Sequence, residues 1–283
     1  MIRHKIHYDV KMQRLEKQIK SVSESKEGLV MGKTWDAYKA FVSEMTKKRE
    51  YYMFRGQSNS SWGLQTSFHR SAEGTNISIG KYLDFLLFAN RYISASTNEI
   101  MDLSNQETLG CFLSLLQHHG FPTPLLDWTL SPYIAAYFAL REVGVKSDNE
   151  AVKIYIFDYL SWTKVFPHIS DLKSPDAYIS IILPHARYNP RLIPQQGAFT
   201  FTNQNFMNEY IEEKEKDTLR KYLYNFKINI NEKMEILEEL RLMGITEMSL
   251  FPGLDGTCRT LKHILFAKHV EPGFAEYLKE VSK

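Results

Sequence analysis

Apolar residues recur at spacings of three and four over residues 9–23, where Met12, Leu15, Ile19 and Val22 share one face and Lys and Arg occupy the other. That pattern predicts a helix. Ser23–Gly28 breaks it. A second helix is expected from about Thr34, with Trp35, Tyr38, Val42 and Met45 on one face and the basic run Lys47-Lys48-Arg49 suited to its C-terminus. Tyr51–Phe54 is aromatic-rich and reads as a strand running into Arg55-Gly56. Ser58–Ser61 is a turn, and Trp62-Gly63-Leu64 is expected to resume an extended course. Helical periodicity covers about residues 79–96 and 105–118, with Gly120 placed to stop the latter.

Ser131-Pro132 supplies an N-cap and a first-turn proline for a helix whose near-continuous apolar sequence implies burial. Lys153–Phe157 alternates like a strand. Residues 177–183 and 198–202 are further strands, and 209–223 and 231–243 are charged helices. Ser249–Gly256 reads as a strand leading into a turn, and 257–269 as a closing helix. Strands and helices mix without a regular βαβ rhythm. The expected class is α+β, a mixed central sheet flanked by helices, with an N-terminal helical extension. The expected division is a basic extension over 1–30 and one α+β domain over 31–283.

Composition supports a large core: 283 residues, 43% hydrophobic and 24% charged. The formal charge of +2 gives no support to a polyanion-coating role. The basic excess is local, with 12 Lys/Arg against 7 Asp/Glu in residues 1–50. It is either a solvated helix face or a contact arm for nucleic acid or an acidic partner. Cys111 and Cys258 lie far apart, show no metal or disulfide spacing, and are expected as buried thiols in a reducing compartment. No signal core or spanning apolar run is present, so a cytoplasmic location with no membrane partner is expected.

Four segments carry candidate chemistry. Arg55 follows a strand and precedes Gly56, so it can offer a fixed guanidinium fork to a phosphate while the glycine permits close backbone approach. Gln57 adds a neutral donor. The alternative is a structural pairing of Arg55 with Asp127. Gln117-His118-His119-Gly120 ends a helix. Its adjacent histidines point in different directions, so each acts alone, as a proton carrier, a hydrogen-bond donor or a cap on terminal carbonyls. Asp127 lies between apolar neighbours and needs partners. It caps the following helix, pairs with Arg55, orients a histidine or serves as a base. Gln195, Gln196 and Gly197 read as a turn into a strand whose amides either contact a base or ribose or only shape the turn. His185, Arg187 and Arg191 form a basic patch just before. No P-loop, G-x-G-x-x-G, H-E-x-x-H or G-x-S-x-G occurs.

Together these segments resemble the FRG domain family. The Phe54-Arg55-Gly56 triplet matches the motif that names it. Trp62-x-Leu64, Arg70, Gln117 to Thr123, Leu126 to Pro132, Gln196-Gly197-x-Phe199 and Leu250 to Gly256 are similar to its later signatures, over about residues 30–268. Pro124 departs from the family pattern, where Arg is common, so no phosphate contact is assigned there. The family's bacterial and viral setting implies a defence (phage-defence) or toxin role. Tyr51–Gly56 also resembles, more faintly, the phosphate-holding arginine strand of Arg-Ser-Glu ADP-ribosyltransferases. That likeness implies an enzyme using NAD as substrate, an ADP-ribosyltransferase or NAD glycohydrolase. Arg55, Gly56, Gln57, Gln196 and Gly197 would hold the nucleotide, and His118, His119 and Asp127 would serve catalysis. The protein or nucleic-acid acceptor is left open. No Glu-x-Glu of that class is found, and Glu247 and Asp255 are the nearest substitutes. Two other readings stand beside it: a nucleic-acid-binding or nuclease module using the basic arm and some of the 17 Phe, 16 Tyr and 4 Trp, and a non-catalytic nucleotide sensor.

Overall fold

The computed structural model describes residues 24–25, 28–143, 150–166, 168–169, 173–183 and 189–266. The helix expected over 9–23, and His185 and Arg187, lie outside these. The described part of the 1–30 extension forms β1 (Glu24–Ser25) and the start of β2 (Gly28–Gly32).

The elements that follow are α1 (Trp35–Lys48), β3 (Met53–Gln57), α2 (Ser67–Ala72), α3 (Ile79–Thr97), α4 (Gln106–His118), β4 (Leu125–Thr129) and α5 (Pro132–Leu140). After them come β5 (Ala151–Phe157), α6 (Tyr159–Val165), β6 (Ile179–Ile182), β7 (Gly197–Thr202), α7 (Met207–Thr218), β8 (Leu223–Asn229), α8 (Lys233–Leu242), α9 (Glu247–Leu250) and α10 (Leu254–Phe266). Among the described residues the strands form one sheet in the order β1-β2-β8-β5-β3-β4-β7-β6. The β2–β8 pair is parallel and the others are antiparallel. The class is therefore α+β with a mixed sheet, as the sequence pattern implies.

Local chemistry explains several boundaries. Thr34, Ser78, Asn105 and Ser131 each cap a helix with a side-chain oxygen, and Pro132 takes the first position of α5. Gly120 stops the chain after α4 with φ 83°, a conformation that suits glycine. Period-two alternation then splits the strand side chains between layers. Phe54, Ile154, Ile156 and Phe226 pack under α1, α5 and α8. Leu125, Phe199 and Phe201 pack under α2 to α4. Met53, Leu126, Trp128 and Tyr155 pack toward α6 and α7.

Five expectations are corrected. Arg55 does not end its strand: β3 continues to Gln57, paired with β5 throughout. Trp62–Leu64 is irregular rather than a strand. The helix expected to reach residue 223 stops at Thr218, and Leu223–Asn229 is β8, paired along its whole length with β5. The strand expected from Ser249 is instead α9, a one-turn helix closed by a Thr246–Ser249 capping box, followed by α10 from Leu254. Of the two cysteines Cys111 is buried as expected, but Cys258 is exposed on α10, and the two form no disulfide with each other.

Candidate nucleotide-binding cavity

The sheet opens at its centre. β3 pairs through all five residues with β5, and β4 through all five with β7. Between β3 and β4 the register has one pair, Phe54 opposite Thr129. Beyond it the strands part, which strips the Asp127 carbonyl of a ladder donor. A buried carbonyl needs a partner, and Arg55 supplies it: Nη1 donates to the Asp127 backbone oxygen at 2.7 Å. The same nitrogen is 3.9 Å from Asp127 Oδ2. The guanidinium thus stitches the gap through the backbone first and the carboxylate second.

A cavity of about 760 Å³ lies over this gap, within the range of small-molecule sites. Arg55, Gln57, His118, Asp127 and Gly197 border it, as do Arg70, Arg141 and Arg191. Arg141 is paired with Glu142 at 2.6 Å and with Glu247 at 3.4 Å. Arg70 and Arg191 have no ion pair among the described residues. Arg191 instead lies over the Phe251 ring at 5.1 Å, and Arg70 Nη1 donates to the Gln65 carbonyl at 2.6 Å. Cationic and aromatic groups therefore converge on one concave surface.

Asp127 is held from the other side by Gln117, whose Nε2 donates to Oδ1 at 2.6 Å. Thr123 Oγ1 donates to Gln117 Oε1 and so fixes which way the amide faces. The Asp127 side chain is 62% accessible, against 21% for Arg55. That access is into the cavity that Asp127 borders. Loss of hydration accordingly pushes the carboxyl pKa up, outweighing the opposing pull of Arg55 and Gln117. Burial likewise lowers the Arg55 pKa, with Asp127 opposing and Arg70 adding to the shift. Arg55 Nε is buried with no partner among the described residues. Burial, then the charge of Arg191, then His119, holds the His118 imidazole below its ordinary pKa, so it is neutral at pH 7 and able to accept a proton.

The adjacent histidines part as their helix geometry requires. His118 borders the main cavity, whereas His119 faces a separate shallow depression beside Ile93 and Leu116. Gly56 borders the cavity too, but its missing side chain serves packing: a Cβ there would lie 2.0 Å from the Ala135 carbonyl of α5. Gln196 does not border the cavity. Its backbone, at φ 46°, bonds to Ile193 and Leu130, and Gln195 takes the place at the wall. Glu247 is engaged elsewhere, accepting from Tyr137 at 2.5 Å and Arg259 at 3.0 Å as well as from Arg141. Asp255 lies on α10 away from the wall. Sequence reasoning gave Gln117, Arg70 and Arg141 no role in the site. Gln117 was readable as part of the same signature as His118, while Arg141 carried no local signal.

Among the described residues no helix is long and apolar enough to cross a membrane, and no group of three His, Cys, Asp or Glu could hold a metal ion. No curated protein and no solved structure matches the chain. The family model of the FRG domain matches residues 50–148, a shorter stretch than the 30–268 over which the motifs are similar. The match takes in Arg55, Arg70, Gln117, His118, Asp127 and Arg141, while Arg191, Gln195 and Gly197 come from beyond it. Residues 50–148 thus carry the FRG domain, and this segment supplies both strands that part to open the cavity.

Proposed function

We propose that the cavity binds NAD and that the protein cleaves it, as an ADP-ribosyltransferase or an NAD glycohydrolase. The observation that carries this reading is the placement of an accessible carboxylate, Asp127, beside a buried arginine fork in a cavity lined by two further arginines, Arg70 and Arg191, that have no ion pair among the described residues. Arginine forks match phosphate oxygens in charge and shape. Arg55 and Arg70 would grip the pyrophosphate. Asp127 takes the part left open by the missing Glu-x-Glu: its carboxylate would stabilise positive charge developing on the ribose as the bond from C1′ to nicotinamide breaks. Nicotinamide leaves as a neutral base. The attacking water or acceptor group gives up a proton, which the neutral His118 can accept. Gln117 and Thr123 would keep the carboxylate in place. A setting in bacterial defence or toxin biology is part of the proposal and draws on the family resemblance alone.

The test is isothermal titration of NAD with a parallel assay for free nicotinamide. Wild type should bind and release nicotinamide, and Arg55→Ala should weaken binding at least tenfold. Binding without release would leave a nucleotide sensor. Failure of wild type to bind would overturn the reading, and equal binding by Arg55→Ala would remove Arg55 from it.

A further inference from the structure

We infer that Trp62 and Phe206 form a stacking platform for a planar heteroaromatic ring of the bound nucleotide, an inference that rests on the nucleotide reading above. Both side chains border the cavity and are exposed, at 55% and 42%. Large apolar rings in water are costly unless something covers them. Trp62 makes no hydrogen bond or ring contact through its indole among the described residues.

The backbone beneath these rings is, by contrast, tightly held. The Trp62 carbonyl accepts from Tyr155 Oη at 2.8 Å and lies 3.4 Å from Lys153 Nζ, two groups buried beneath it. The next carbonyl, of Gly63, accepts from Gln57 Nε2 at 3.1 Å. The segment is also zipped to the one bearing Phe206: Leu64 N donates to Asn208 Oδ1 at 2.9 Å, Met207 N to the Leu64 carbonyl at 2.9 Å, and Gln65 Nε2 to Asn205 Oδ1 at 2.7 Å. Exposed rings on a fixed backbone lose little entropy when a partner stacks on them. That separates this pair from a mobile surface aromatic.

Gln57 adds a second pointer to a ligand. It is 7% exposed and borders the same cavity. Its Nε2 is committed to Gly63, and Oε1 is buried without a partner among the described residues. An acceptor left unmet in this position is costly. An amide or amino group on a stacked ring would satisfy it. Nicotinamide and adenine both carry such a donor, and both present a π face.

Tryptophan fluorescence reads the platform by difference from Trp62→Phe, because the other three indoles, of Trp35, Trp128 and Trp162, are at most 3% exposed but Trp128 borders the cavity too. NAD should quench the wild-type emission. Trp62→Phe, which keeps the ring surface but loses the fluorophore, should lose the quenching and bind NAD about as tightly by calorimetry. Trp62→Ala should weaken binding roughly tenfold. Quenching by nicotinamide mononucleotide alone would place the nicotinamide ring on the platform, and quenching by AMP alone would place the adenine there. NAD binding unchanged in Trp62→Ala overturns the platform and leaves the NAD reading standing. No binding of any of the three to wild type overturns both.

Discussion

Two arginine–carboxylate clusters, centred on Asp127 and on Glu247, occupy the same region of the molecule and are built in opposite ways. Glu247 is 14% accessible and saturated, with the Tyr137 hydroxyl at 2.5 Å and the guanidiniums of Arg259 and Arg141 at 3.0 and 3.4 Å. It ties α9 to α5 and α10. Asp127 is 62% accessible, has one short side-chain partner in Gln117, and keeps Arg55 at 3.9 Å. Its partner arginine is committed to a backbone carbonyl and has an Nε with no partner among the described residues. A saturated buried cluster has no capacity left for a ligand and acts on stability. An unsaturated one in a cavity costs the fold something and keeps donors and acceptors available. The contrast separates a carboxylate that holds the structure from one left open to the cavity, although both were candidates on sequence.

The sharpest way to break this comparison is to delete each carboxylate. Asp127→Ala should lower nicotinamide release by a factor of about 10²–10³, the usual cost of removing one transition-state charge contact, with little change in denaturation midpoint. Glu247→Ala should do the reverse. It strands Arg141 and the Tyr137 hydroxyl, and should cost about 2–3 kcal/mol in urea unfolding. A large stability loss in Asp127→Ala would erase the distinction.

A smaller effect follows from protonation. The folded-state pKa of Asp127 is raised by lost hydration above its ordinary 3.8, so the folded state binds the proton more readily than the unfolded one. Stability attributable to this group is therefore present below pH 3.8 and is lost as pH rises through the folded pKa. Asp127→Asn removes that loss. It should be as stable as wild type or more so at pH 7, with the advantage vanishing in acid; unfolding curves at several pH values check it. Stability that falls in Asp127→Asn at pH 7 would mean that the Arg55 pairing outweighs the hydration loss.

The smallest expected effect concerns His118. Arg191 contributes to its lowered pKa, so Arg191→Ala should move the imidazole titration upward, toward 6.5, in an NMR pH series. An unchanged titration would show that burial alone sets it.

Much of the scaffold was legible because its signals are local. The cap Ser131, Pro132 and the three-and-four periodicity of α1, α3 and α4 act within a few residues of themselves. β8 was not, because Leu223–Asn229 mixes apolar residues with Asn225 and Lys227 and borders a charged helix. Only its position between β2 and β5 makes it a buried strand. The short run around Ser249 failed for a related reason: four residues do not distinguish a turn of helix from a strand.

The sequence by itself determined the class of the fold, the FRG domain segment and, as one of its alternatives, the pairing of Arg55 with Asp127. Those follow from motif order and residue chemistry, which are properties of the chain. Only the tertiary structure decided that β3 and β4 part after a single pair, that His118 faces the cavity and His119 does not, and that Gln195 rather than Gln196 reaches the wall. Each of these depends on register, twist and the packing of segments distant in sequence, and no local pattern encodes them.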